Sequence, residues 1–85
     1  MLINTNNYYY SINIEFEFFD IKLNKKVISR RNYKIVTKNN DDRALELVRK
    51  LCEFRINNSI LKKDFIYIGS AIIEKHKVLT DGYII

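Results

Sequence analysis

The residue types that do covalent or metal chemistry are scarce in this chain. It holds one histidine, His76, and one cysteine, Cys52, in 85 residues. His76 has Glu74 and Asp81 nearby as acid–base partners, but no credible nucleophile stands beside them, and a general base must lie within hydrogen-bond reach of the proton it takes. Cys52 follows Val48 and Leu51 in a segment of helical spacing, where a thiol is most simply a small hydrophobe. One His and one Cys are too few soft ligands for a zinc site within one chain. Neither GxxxxGK[ST], GxGxxG nor HExxH occurs, and two isolated glycines cannot build a phosphate-cradling loop of the glycine-rich kind. The expectation is a non-enzyme with no metal and no cofactor.

Charge carries the stronger signal. The net charge is +5 with 15 basic and 10 acidic residues, and an excess of that sign favours an acidic partner such as nucleic acid. Part of it reflects composition. Ile, Asn and Lys supply 34 of the 85 residues while Ala and Gly number two each, a bias that AT-rich codons produce by themselves. Distribution is the better guide. Residues 1–20 carry three acids and no base, residues 21–63 thirteen bases against four acids, and residues 64–85 two bases against three acids. The candidate contact for nucleic acid or another acidic partner is therefore Lys22, Lys25, Lys26, Arg30, Arg31 and Lys34, with Lys38 following. Tyr8, Tyr9 and Tyr10 offer stacking rings for a single-stranded base.

These residues need elements to hold them. Residues 1–7 read as a flexible tail and residues 8–85 as one α+β domain, because a chain this short has surface for one modest core. Tyr10, Ile12, Ile14, Phe16 and Phe18 alternate with polar residues, the period of a strand with one buried face. Lys26 to Thr37 reads as its hairpin partner. A two-residue turn at Asn24-Lys25 would set Ile14 opposite Ile35, with a β-bulge near Phe18-Phe19 and a hairpin tip projecting past the core. Asn39 to Asp42 signals a helix start, and Ala44, Leu47, Val48, Leu51 and Phe54 recur at helical spacing.

Phe65 to Ile73 and Val78 to Ile85 read as a second hairpin around Glu74 to Lys77, with Asp81-Gly82 as a rival turn. The expected architecture is ββαββ, a four-stranded, mostly antiparallel sheet with the helix packed on one face. Its order resembles the β-grasp arrangement of ubiquitin-like proteins at the level of topology, and no motif of that family accompanies it. The expected core joins Ile14, Phe16, Ile35, Leu47, Leu51, Phe54, Ile68 and Ile72. In the second hairpin Gly69 would face Gly82, giving a small-residue slot rimmed by Tyr67, Ile73 and Ile84 as a protein interface.

No apolar run approaches the roughly 20 residues of a membrane span, and the N-terminus lacks a signal-peptide pattern. The chain reads as a cytoplasmic, non-catalytic binding protein whose basic hairpin docks nucleic acid or a nucleic-acid–protein assembly. A phage- or mobile-element-encoded inhibitor of a host nuclease system fits that size and composition. The alternative is a protein-docking inhibitor, immunity protein or adaptor using the apolar sheet face or an edge strand, and two apolar faces on the last hairpin also suit a homodimer.

Overall fold

The structure, a computed structural model, describes the backbone of residues 2–81 and the side chains of residues 6–78. Four elements follow one another: β1 (Leu2–Asp20), β2 (Lys25–Lys38), α1 (Asp41–Asn57) and β3 (Lys62–Asp81). The strands form one antiparallel sheet in the order β2-β1-β3. The expected four-stranded ββαββ sheet is therefore corrected to a three-stranded ββαβ sheet, still of the α+β class, and the β-grasp likeness, which rested on that element order, goes with it. The Glu74 to Lys77 run is strand rather than loop: Glu74, Lys75 and His76 stand opposite Ser11, Tyr10 and Tyr9. Physically, β1 is a 19-residue strand with two edges, and one uninterrupted β3 satisfies its second edge where a short hairpin would leave half of it unpaired.

The first hairpin also closes differently from the sequence expectation. Asp20 pairs with Lys25 around a four-residue turn, so Ile14 faces Arg31 and Phe18 faces Val27. The Asp20 carboxylate accepts from the Leu23 amide at 3.0 Å, and Asn24 takes the left-handed conformation, φ 53°, that closes the turn. Because this register differs from the expected one by an even number of residues, each side chain keeps its face. The β1–β2 ladder runs without a bulge; the irregularities lie in the β1–β3 pairing instead. There Ile68 and Ile73 are the extra residues of two bulges, and the pair Asp64-Phe65, with Asp64 at φ 58°, occupies a third. β1 takes in residues 2–7, which the sequence reading set apart as a tail, and Asn6 at φ 56° accompanies the register shift between Asn4 and Tyr8.

The helix begins where the capping signal lies. Asn40 Oδ1 accepts from the Arg43 amide at 3.0 Å, and Asp41 and Asp42 occupy the first turn. Its buried stripe is Ala44, Val48, Cys52 and Ile56, which advances about 40° per step around the helix and so follows the twist of the sheet beneath. These pack on Tyr10, Ile12, Ile14, Phe16 and Phe18, all buried, with Ile35, Phe65, Tyr67 and Ile72 half-buried around them. Of the expected core, Leu51, Phe54 and Ile68 are exposed and Leu47 is half-buried. The helix leans toward β3, where the Arg49 guanidinium sits 4.6 Å from the Tyr67 ring centre, and that rotation turns Leu51 and Phe54 away from the sheet.

A polar clasp holds the start of the helix. Asp41 Oδ1 accepts from Tyr10 Oη at 3.0 Å and from Lys75 Nζ at 2.7 Å, while Lys75 also lies over the rings of Tyr8 and Tyr10. The hydrogen bonds from Lys75 and then Tyr10 hold the Asp41 carboxyl below its ordinary pKa, and the bond to Asp41 raises that of Lys75. Asp41 thus binds its proton less tightly folded than unfolded, so its contribution is complete above the usual carboxylate range, about pH 4, and disappears as pH falls through the depressed value. Lys75 loses its share as pH rises through its raised value. We expect the urea midpoint of Asp41→Asn to fall less than that of the native chain between about pH 5 and pH 2; parallel curves would exclude the clasp as a source of acid sensitivity.

Candidate nucleic-acid interface

The helix covers one face of the sheet and leaves the other open. On the open face the register arranges side chains in rows across β2, β1 and β3: Lys26–Phe19–Lys63, Ile28–Glu17–Ile66, Arg30–Glu15–Gly69, Asn32–Asn13–Ala71, Lys34–Ser11–Glu74 and Val36–Tyr9–His76. The even-numbered residues of β2 are all exposed, so Lys26, Arg30, Lys34 and Lys38 stand in one line, about 13 Å apart along the strand.

This placement divides the basic residues that the sequence singles out. Lys26, Arg30 and Lys34 share the open face. Lys22 lies in the turn and Lys25 at the first ladder position. Arg31 points to the helix side, its guanidinium 5.8 Å from the centre of the Phe16 ring. Arg30 Nε donates to Glu15 Oε2 at 2.6 Å and remains largely exposed; that bond raises the guanidinium pKa further, so its charge is permanent. Among the described residues, Arg30 is the one cation of residues 21–38 in an ion pair.

Two further cations join the hairpin end through tertiary structure. Lys62 stands opposite Asp20 and Lys63 opposite Phe19, their ammonium groups 5.0 Å and 5.5 Å from the ring centres of Phe18 and Phe19. The Ile21 amide donates to the Leu61 carbonyl at 2.9 Å, tying the turn to the start of β3. The tip is thus buttressed rather than projecting past the core, and five lysines, Lys22, Lys25, Lys26, Lys62 and Lys63, gather at one end of a molecule 55 Å long. Exposed Ile21, Leu23, Ile60 and Leu61 lie at the same end. The adjacent Lys62-Lys63 was visible in the sequence as charge, but only the antiparallel return of β3 brings it to the turn.

The glycine-centred slot is rearranged. Gly69 faces Glu15 rather than Gly82; Gly82 and Ile84 lie outside the described residues. Tyr67 is on the helix side, bonded through its hydroxyl to Ser70 Oγ at 2.7 Å, and Ile73 is an exposed bulge residue. What remains on the open face is a dish of about 570 Å³ over Gly69 and Ala71, walled by Asn13, Glu15, Arg30 and Asn32. The two amides are residues that sequence reasoning missed. Asn32 Nδ2 donates to Ser11 Oγ and to Asn13 Oδ1, each at 2.8 Å. Beyond the dish Tyr9 and His76 stack with ring centres 4.7 Å apart.

No group of three or more His, Cys, Asp or Glu side chains is placed to hold a metal ion among the described residues. His76 is exposed and stacked on Tyr9, and Cys52 is buried under the helix, its thiol pKa pushed up chiefly by that burial, the reverse of what a reactive thiolate needs. No described helix is long and apolar enough to cross a membrane. No family model matches the chain, and neither a curated protein nor a solved structure matches it, so the functional argument rests on the basic end and the open face themselves.

Proposed function

We propose that this protein is a cytoplasmic, non-catalytic binding module that docks nucleic acid, alone or within a nucleoprotein assembly, through its basic hairpin and the adjoining lysines of β3. The observation that carries this reading is the gathering of Lys22, Lys25, Lys26, Lys62 and Lys63 at one end, with Arg30, Lys34 and Lys38 following at intervals along the exposed side of β2. Residues 21–38 contribute seven cations and no acid, and surface ion pairs, each contributing about 0–1 kcal/mol, do not account for so one-sided an arrangement. Phosphate contacts would use these side chains as point charges and fix the position of the strand. The same charges oppose edge-to-edge pairing of two copies through β2. In the register centred on Asn32, Lys26 would meet Lys38 and Arg30 would meet Lys34, like against like.

The exposed aliphatics Ile21, Leu23, Ile60 and Leu61 between those lysines favour a second reading, docking to an acidic protein. Salt separates the two. Titration of labelled oligonucleotides at several salt concentrations is expected to give a steep linear fall of log affinity with log salt, because bound phosphates release counterions. Absence of oligonucleotide binding at low salt would reject the nucleic-acid reading in favour of the protein one, in which charge acts mainly on the association rate.

A further inference from the structure

Gly69 sits inside β3 without a reason of its own. Its backbone is not in the left-handed region, since no described glycine has positive φ. Nor is it crowded: a Cβ built there meets no atom within 4 Å. A glycine in a strand interior costs roughly 0.5–1 kcal/mol relative to alanine, so a position that any residue could occupy has forgone stability. Gly69 borders the bulge whose extra residue is Ile68. Glycines inside strands mark bulges or places where a ligand or another backbone approaches closely, and this one, with open space over its Cα, leaves room for a ligand. Here that place is the floor of the 570 Å³ dish.

The walls say what would enter. Among the described residues, Asn32 Oδ1 and Asn13 Nδ2 make no hydrogen bond, which leaves one acceptor and one donor beside the dish, the pair that the edge of a nucleobase complements. The Arg30 guanidinium uses its Nε on Glu15, and its two terminal nitrogens have no partner in the described part. Lys26 and Lys34 flank it on the same strand, and the Tyr9–His76 stack lies two rows beyond Asn13. Among the described residues the face carries five cations, Lys26, Arg30, Lys34, Lys38 and Lys63, against Glu15, Glu17 and Glu74.

We infer that the open face binds single-stranded nucleic acid, with an unstacked base seated over Gly69 against Asn13 and Asn32 and its phosphates along Lys26, Arg30 and Lys34. This rests on the nucleic-acid reading above and narrows it, because a duplex keeps its bases inside and cannot fill a dish in the sheet floor.

Gly69→Leu tests it, since the side chain enters open space on the floor while the strand keeps its backbone. The probes are a labelled oligothymidylate and a duplex of equal length, read by anisotropy, with the urea midpoint as the control for folding. Native protein is expected to prefer the single strand. Gly69→Leu is expected to weaken single-strand binding about tenfold and to leave duplex binding and the urea midpoint unchanged or the midpoint slightly raised. Ala71→Leu, on the next row at an exposed position, gives the same result by the same means should Gly69→Leu lower the midpoint. Equal single-strand affinity in folded Gly69→Leu and Ala71→Leu, or a native preference for duplex, would overturn the dish while leaving the basic hairpin as a nucleic-acid contact. Native protein that binds neither probe at low salt overturns both.

Discussion

Replacing Phe16 by alanine is expected to destabilise the fold by about 3–5 kcal/mol, the largest effect of any single truncation considered for this chain. Phe16 is fully buried on β1, the central strand of the sheet, with its ring centre 5.5 Å from that of Phe65 and 5.9 Å from that of Phe18, and with the Arg31 guanidinium over its face. Three elements of the sheet therefore lose contact at once, and the 17-residue helix cannot collapse into the void without abandoning Tyr10 and Ile12, which it also covers. A domain of this size has a stability of roughly 4–13 kcal/mol, so the loss is a large share of the total. Thermal unfolding is expected to shift down by roughly 12 °C or more. Leu51→Ala is the contrast. Leu51 keeps 44% of its surface exposed, and its truncation is expected to cost under about 1 kcal/mol in the same urea titration. Equal costs at the two positions would mean the helix presents a different face to the sheet.

Reversing Lys22, Lys25 and Lys26 together to glutamate is expected to lower nucleic-acid affinity by on the order of a hundredfold at moderate salt while leaving the urea midpoint nearly unchanged. All three are exposed around a turn whose closure depends on Asp20 and Asn24, not on them. The alanine triple isolates contact from repulsion. Each lost phosphate contact removes about 0.7–0.9 from the slope of log affinity against log salt, so a slope smaller by roughly 2–3 is expected. Lys62→Ala with Lys63→Ala, 36 or more positions further along the chain, is expected to reduce the slope by roughly 1.5 more. That second result depends on the tertiary placement of β3 and not on sequence clustering. Unchanged affinity in the folded glutamate triple would reject the basic end as the contact and pass binding to the open face around Gly69 and Arg30.

The chain alone determined whatever depends on local periodicity and net charge. Tyr10, Ile12, Ile14, Phe16 and Phe18 are buried because their alternation with polar residues leaves only one way to segregate apolar from polar side chains on a strand. The helix starts after Asn40 because an amide side chain followed by Asp41 and Asp42 satisfies free amides at the positive end of the dipole. The concentration of cations after residue 20 is legible in the same way, and no folding was needed to see it.

Tertiary structure decided the rest. The hairpin register moved by four residues because such a shift preserves every face, so the hydrophobic pattern cannot distinguish the two and the choice falls to the turn, where Asp20 and Asn24 close a four-residue loop. Glu74 to Lys77 looks like a loop by composition, yet it is strand, because the length of β1 demanded a partner and Lys75 found Asp41 across the start of the helix. Which stripe of α1 is buried, Ala44 to Ile56 or Leu47 to Phe54, depends on the lean of the helix toward β3, a packing choice that an apolar face this wide leaves open. The dish over Gly69 and the five-lysine end each join residues from different strands. Their neighbours are set by pairing across the sheet, which spacing along one strand does not encode.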